Sequence, residues 1–336
     1  MNIVSIKNKR STIKGKRIVI RLDLNVPLKG NRIVDEYKLT SVLPTLRYLL
    51  KLGCRLVIVT HLGDGTASVK PLAAWLEKKL KIAVPLLKTI DPFKPVKRLA
   101  ILENIRRFKG EVENDPRFAK ELASMGEAYV NDAFAVSHRN HASVSAIKKY
   151  LPSYAGLLLE AEVKHLERAK NPKSPFIVIL GGAKIKTKLP LLKKLAPKAQ
   201  AVLVGGALAN EIIASNKLPF ENIVLPRDGR PEFSPMLDIG PLTVKEFIVR
   251  LSKAKTIVWN GPLGMFEHRA YAKGTTEIAR AVAAQTRRGA FSLIGGGETA
   301  AAVGRFRFSW VSTGGGATLA YLSGAPMPGL SLIVKA

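Results

Sequence analysis

Residues 176–189 read FIVILGGAKIKTKL. A five-residue apolar run meets two glycines and then a lysine-bearing stretch. So short a run, rich in β-branched residues and closed by glycine, reads as a strand buried on both faces. The pattern recurs downstream. AVLV (201–204) precedes Gly205-Gly206, TIVW (256–259) precedes Asn260-Gly261-Pro262, and FSLI (291–294) precedes Gly295-Gly296-Gly297. Trp310-Val311 leads to Gly314-Gly315-Gly316. Short apolar strands alternating with helical stretches predict a doubly wound parallel sheet, whose ligands bind outside the carboxyl ends of the strands. The glycines lie at those ends.

The first half repeats the grammar with other chemistry. Residues 17–24 (RIVIRLDL), 55–62 (RLVIVTHL), 99–102 (LAIL) and 128–130 (AYV) read as strands. Their ends carry Asp23, Asn25, His61, Arg106, His138 and Arg139. Alternation puts Arg21, Asp23 and Asn25 on one side, with Leu22 and Leu24 opposite. Any one of these cations has a plain reading as a solvated or satisfied polar residue. Several converging strand ends would instead make a basic pocket for an anion. Between the halves, residues 156–170 place Leu158, Ala161, Val163, Leu166 and Ala169 near helical spacing, bracketed by Pro152 and Pro172. The fold class is therefore α/β, with two doubly wound Rossmann-like domains joined by a linking helix and hinge. The expected divisions are 1–153, a helix over 154–171, 172–318, and a 319–336 segment returning to the first domain.

Composition sets the class. The 336 residues are 47% hydrophobic and 24% charged, which excludes a disordered chain. The single cysteine allows no intrachain disulfide and suits a reducing, cytoplasmic setting. No apolar run approaches a membrane span, and the polar, basic start over 1–11 predicts no signal peptide. The net charge of +29 raises the question of nucleic acid. Residues 1–150 carry net +16 and residues 151–336 net +13, so the charge is spread rather than gathered in an arm. A solvated basic surface is the expectation, with no sequence-specific nucleic-acid partner. Trp75, Trp259 and Trp310 are expected to pack. Lys193-Lys194 and Arg287-Arg288 are expected on the surface.

The glycine turn at 181–182 opens a helix whose N-terminus suits phosphate, although it is not a P-loop, since GxxxxGK[ST] is absent. Lys184 and Lys188 share a helix face. Glu298, after three glycines, could hold a metal near phosphates or simply favour a helix N-terminus. Asn260-Gly261-Pro262 with Glu267 could read a nucleoside or form a turn.

In order along the chain, RLDLNVP, LPTL, HLG, LENIR, DAFAVSHRNHAS, ILGGAKIKTKL, VGGALAN, DIGP, TIVWNGPLGMFE, AKGT, IGGGETAAAV and VSTGGGA together resemble the phosphoglycerate kinase family. The resemblance covers nearly the whole chain. It implies a basic amino-terminal domain for 3-phosphoglycerate or 1,3-bisphosphoglycerate and a carboxy-terminal domain for magnesium ADP or ATP. It further implies hinge closure for phosphoryl transfer, by a monomer with no membrane partner. It gives substrate roles to Arg21, Asp23, Asn25, Lys38, His61, Asp64, Arg106 and Arg139. Lys184 and Lys188 would hold nucleotide phosphates. Asn260, Pro262 and Glu267 would lie along the nucleoside, with Gly296, Gly297, Glu298 and Thr299 at the phosphates and Glu298 at magnesium. Lys38, Lys188, Gly315 and Gly316 would serve the transfer itself. Three positions depart from the family pattern. Lys38 and Asp64 stand where it has arginine, and GGGET replaces GGGDT at Glu298. In this setting an acidic Asp64 would orient the Lys38 ammonium. The chain is also shorter than the family, mainly after His61 and between Asn210 and Asp238. Two other classes compete with the enzyme: a catalytically weakened ligand-binding protein of the same fold, and a nucleic-acid binder.

Overall fold

The computed structural model describes residues 3–182, 185–231 and 235–333. The chain forms two compact units, one of residues 1–163 with 327–336 and one of residues 164–326. The division falls inside the helix Leu157–Lys170. Residues 319–326, expected with the returning segment, stay in the second unit, and only Met327 onward packs in the first.

The first unit holds a six-stranded parallel sheet. Its strands are β1 (Arg17–Leu22), β2 (Arg55–Val59), β3 (Leu86–Leu87), β4 (Leu99–Leu102), β5 (Ala128–Asp132) and β6 (Ser153–Ala155). They lie in the order β3-β4-β2-β1-β5-β6. Period-two alternation fills both faces. Ile18, Ile20, Leu22, Leu56 and Ile58 pack to one side, and Val19, Val57, Val59 and Tyr129 to the other. Each such side chain contributes about 1.5–3 kcal/mol on burial.

The second unit holds β7 (Phe176–Leu180), β8 (Ala201–Val204), β9 (Ile223–Val224), β10 (Thr256–Asn260), β11 (Phe291–Gly295) and β12 (Trp310–Val311). Their order, β9-β8-β7-β10-β11-β12, is again all parallel. It reverses direction between β7 and β10, the place where doubly wound sheets bind ligands.

Several boundaries move. β1 stops at Leu22, because the Leu24 amide donates to Thr60 Oγ1 (3.1 Å) instead of the ladder. β2 stops at Val59, and the Asn104 side chain takes over the Leu62 amide and carbonyl (3.3 and 2.6 Å). β3, β6 and β9 have no counterpart in the sequence reading, since two or three edge residues are too few to show a period. The linking helix buries Leu159 where Leu158 was expected, together with Glu162, Val163, Leu166 and Ala169. Its first turn is capped by side chains of the first unit. Leu157 N donates to Thr45 Oγ1 (3.1 Å) and Leu159 N to Asp132 Oδ1 (2.9 Å).

Trp75 and Trp259 are buried, whereas Trp310 is half-buried and stacks on His165 at 4.4 Å. Lys193, Lys194, Arg287 and Arg288 are exposed.

Candidate active site

In the first unit the parallel strands end at one edge, and that edge gathers the polar residues. Arg21, next to last in β1, is buried. Its Nε donates to Ser143 Oγ (3.0 Å), its Nη1 to the Leu22 carbonyl (2.5 Å), and its Nη2 lies 3.3 Å from His61 Nδ1. Ser143 in turn donates its hydroxyl and amide to the Glu111 carboxylate (2.6 and 2.8 Å). Glu111 is fully buried, and burial raises its pKa against the pull of Arg21. Glu111 and Ser143 were not singled out from the sequence. Glu111 lies in a four-residue helix, Lys109–Val112, where no spacing marks it, and Ser143 sat unassigned inside the DAFAVSHRNHAS segment.

Asp23 follows β1 and is buried. Lys38 Nζ meets its Oδ2 at 2.8 Å, and His61 Nδ1 lies 3.9 Å from its Oδ1. Burial raises the Asp23 pKa, but Lys38 above all, with Arg21, outweighs it and holds the carboxyl below its ordinary value. The expectation that Asp64 orients Lys38 is therefore replaced: Asp23 does so. Asp64 is exposed and accepts from Thr66 N and Oγ1 (3.0 and 2.7 Å), which stabilises its own loop and lowers its pKa. Asn25 is half-buried and accepts from the Gly63 amide (2.9 Å), tying two strand-end loops together.

Arg106, beyond β4, donates to the Gly63 carbonyl (2.5 Å). Its pKa is lowered by burial, then by the nearby Arg139 and Arg21, so three guanidinium groups share one field. Arg139 is exposed. Glu111 and Asp23 offset part of this charge, and the positive field that remains suits a phosphorylated acid.

His61 sits in this field as a neutral ring. Burial, then Arg21, pushes its pKa down to about 3. An unfolded histidine titrates near 6.5, so the unfolded state binds a proton that the folded state refuses. Stability should fall as pH drops from about 6.5 toward about 3, and His61→Gln should flatten that limb in urea titrations. A slope unchanged by the substitution would contradict a buried neutral His61.

In the second unit the strand ends carry glycines. A Cβ on Gly181 would lie 2.0 Å from the Pro262 carbonyl oxygen, so only glycine fits there. The Gly182 amide donates to that same carbonyl (2.7 Å). The helix Ile185–Leu195 follows and carries Lys188, which is buried with its ammonium on the Gly181 carbonyl. A cleft of about 700 Å³ opens beside it. Lys188, Asn260, Gly296, Gly297, Glu298, Thr299, Gly315 and Gly316 line it, and the sequence reading had not placed Leu319, Ala320 and Ser323 there. Asn260 Nδ2 donates to Gly295 O (2.9 Å), and Thr299 Oγ1 accepts from Gly261 N (2.7 Å), which fixes the cleft floor. Gly296 and Gly315 have positive φ (96° and 49°), and each turns the chain into a helix whose N-terminus faces the cleft. Such ends attract phosphate.

Glu298 is exposed in the first turn of Gly297–Val303. Pro262 is buried and works through its carbonyl. Glu267 is exposed and is not among the cleft-lining residues. Lys184 lies outside the described residues.

The family model for phosphoglycerate kinase matches residues 8–229 and 219–325. A phosphoglycerate kinase of Thermosipho africanus is 38% identical over a 386-residue alignment, covering 96% of both chains. One of Fervidobacterium nodosum is 37% identical, again covering 96% of both. These alignments are longer than the 336-residue chain, so the relatives carry segments that it lacks. Among solved structures, phosphoglycerate kinase from Coxiella burnetii matches with TM-score 0.85 and 32% identity, covering 99% of this chain and 100% of that one. The Pyrococcus horikoshii enzyme matches with TM-score 0.86 and 28% identity, covering 98% of each. Family model, full-length relatives and fold coincide, and the chain belongs to the phosphoglycerate kinase family.

Proposed function

We infer that the chain transfers a phosphoryl group reversibly between ATP and 3-phosphoglycerate, giving ADP and 1,3-bisphosphoglycerate. The observation that carries this reading is the cluster of Arg21, Arg106 and Arg139 around neutral His61, matched by a glycine-lined cleft with a buried lysine.

The attacking group is a carboxylate oxygen, already deprotonated at neutral pH, so no general base is needed. The oxygen forms a bond to the γ-phosphorus of ATP as the bond to the β-bridging oxygen breaks. What the protein supplies is position and positive charge. With the buried Arg21 supporting them by orienting His61, Arg106 and Arg139 hold the anionic substrate. Asp23 and Asn25 contact it from the same edge, and Asp23 anchors Lys38, which faces the transferring group. Neutral His61 donates a hydrogen bond through Nε2, since its Nδ1 is taken by Arg21. Asp64 acts by holding its loop. In the cleft, Lys184 and Lys188 hold phosphate oxygens, and the amides after Gly296 and Gly315 receive the charge that develops. Asn260 and Pro262 lie along the nucleoside, Thr299 stands with Gly296 and Gly297 at the phosphates, and Glu267 is assigned to the ribose on the family resemblance alone.

Magnesium fits Glu298. Among the described residues no group of three or more His, Cys, Asp or Glu could cage a metal, and magnesium characteristically takes one or two carboxylates with substrate phosphates. When bound, the ion neutralises phosphate charge. Among the described residues no helix is long and apolar enough to cross a membrane, and the one cysteine, Cys54, is buried. The same reading takes the working form as a cytoplasmic monomer.

Calorimetric titration of 3-phosphoglycerate tests the assignment. Arg106→Ala should bind it about 10- to 100-fold more weakly, the cost of one charged hydrogen-bond donor. Unchanged affinity would remove Arg106 from the site.

A further inference from the structure

In a parallel sheet every strand begins at the edge opposite the one where it ends, so the amino edge of the first unit's sheet is remote from Arg21, His61 and Arg106. That edge is strongly basic. The segments leading into β1, β2, β4 and β5, residues 14–17, 51–55, 91–98 and 124–127, hold eight lysines and arginines against two carboxylates, Asp91 and Glu127. The whole chain has about two cations per carboxylate; this edge has four.

Register lines the arginines up. Arg17 pairs with Arg55, and Leu56 pairs with Leu99, which sets Arg98 beside Arg55 on the next strand. Neighbouring strands lie about 4.8 Å apart, so the three make a row about 10 Å long. Glu127 partly offsets Arg55 (3.8 Å). Beside the row stands Phe93, 92% exposed. Its loop is ordered: Arg17 Nη1 donates to the Pro92 carbonyl (2.8 Å), and the Phe93 amide to Asp91 Oδ1 (2.9 Å). Lys94 and Lys97 flank it, both exposed.

We propose that this edge is a second binding surface, and that its partner is single-stranded nucleic acid taken up without regard to sequence. Guanidinium groups and lysines hold phosphates, and an ordered, projecting aromatic ring offers a base a face to stack on. Anionic membrane fits less well, because a lone apolar ring among charges lacks the amphipathic helix that buries in an interface.

The test uses the full chain and a labelled single-stranded RNA of about 20 nucleotides, with binding read by fluorescence anisotropy across a salt series. An edge variant, Lys51→Glu, Lys94→Glu, Lys97→Glu and Arg98→Glu, is set against a control of equal charge change, Lys193→Glu, Lys194→Glu, Arg287→Glu and Arg288→Glu. Both should keep kinase turnover, which shows that they fold. The edge variant should bind at least about tenfold more weakly than the control, with a salt slope smaller by about 3, or about 0.7 per lost phosphate contact. Phe93→Ala should weaken single-strand binding at least about fivefold and leave duplex binding unchanged, the signature of stacking. The proposal is overturned by equal loss in the two quadruple variants, by no effect of Phe93→Ala, or by anionic vesicles outcompeting the RNA.

Discussion

Lys188→Ala should cut turnover by at least about a hundredfold, the loss typical of one preorganised donor at a developing charge. The ammonium is buried in the floor of the glycine-lined cleft and held on the Gly181 carbonyl. It is already in place before a phosphate arrives, so its contribution needs no reorganisation during transfer. Steady-state kinetics over a range of ATP concentrations would separate the effects. The account expects a fall in kcat that higher nucleotide does not restore. Turnover within a few-fold of wild type would take Lys188 out of the transfer.

Lys38→Ala should lower kcat about tenfold or more while raising KM less, because the lost charge belongs to the transition state. It should also shift the acid limb of the pH profile upward. Lys38 is the largest influence holding the Asp23 carboxyl ionised against burial. Without it, the balance shifts toward burial and Asp23 takes up a proton at higher pH. Lys38→Arg should keep or raise kcat, since arginine restores charge and adds a planar fork. Adding Asp64→Arg to Lys38→Arg should be additive within about 0.5 kcal/mol, because Asp64 bonds to Thr66 and Lys38 to Asp23. An unchanged kcat in Lys38→Ala would make the lysine a bystander.

Much of this is legible in the sequence, for a physical reason. A strand buried on both faces must be apolar throughout, so β1, β2, β7, β10 and β11 announced themselves, and the parallel topology put their carboxyl ends together. The identity of Arg21, His61 and Arg106 as one cluster followed from that topology. What did not follow was pairing across the chain. Lys38 joins Asp23 rather than Asp64, and Arg21 rests on Ser143 and buried Glu111, because loop conformation decides those contacts and no periodicity encodes it. Glu267 is the opposite case: its role comes from the motif alone, since its side chain is exposed and is not among the cleft-lining residues. The basic amino edge was hidden by averaging: a charge spread evenly over two halves can still be gathered on one edge by strand register.

The central claim is that the two half-sites perform one transfer. The most direct measurement is turnover of the purified chain with magnesium ATP and 3-phosphoglycerate, read through coupled reduction of the acyl phosphate product. The account predicts turnover that requires both substrates and magnesium and that Lys188→Ala abolishes to within a hundredth of wild type. A wild-type chain that binds both ligands in calorimetry yet forms no acyl phosphate would contradict it, and would leave a ligand-binding protein on a kinase fold.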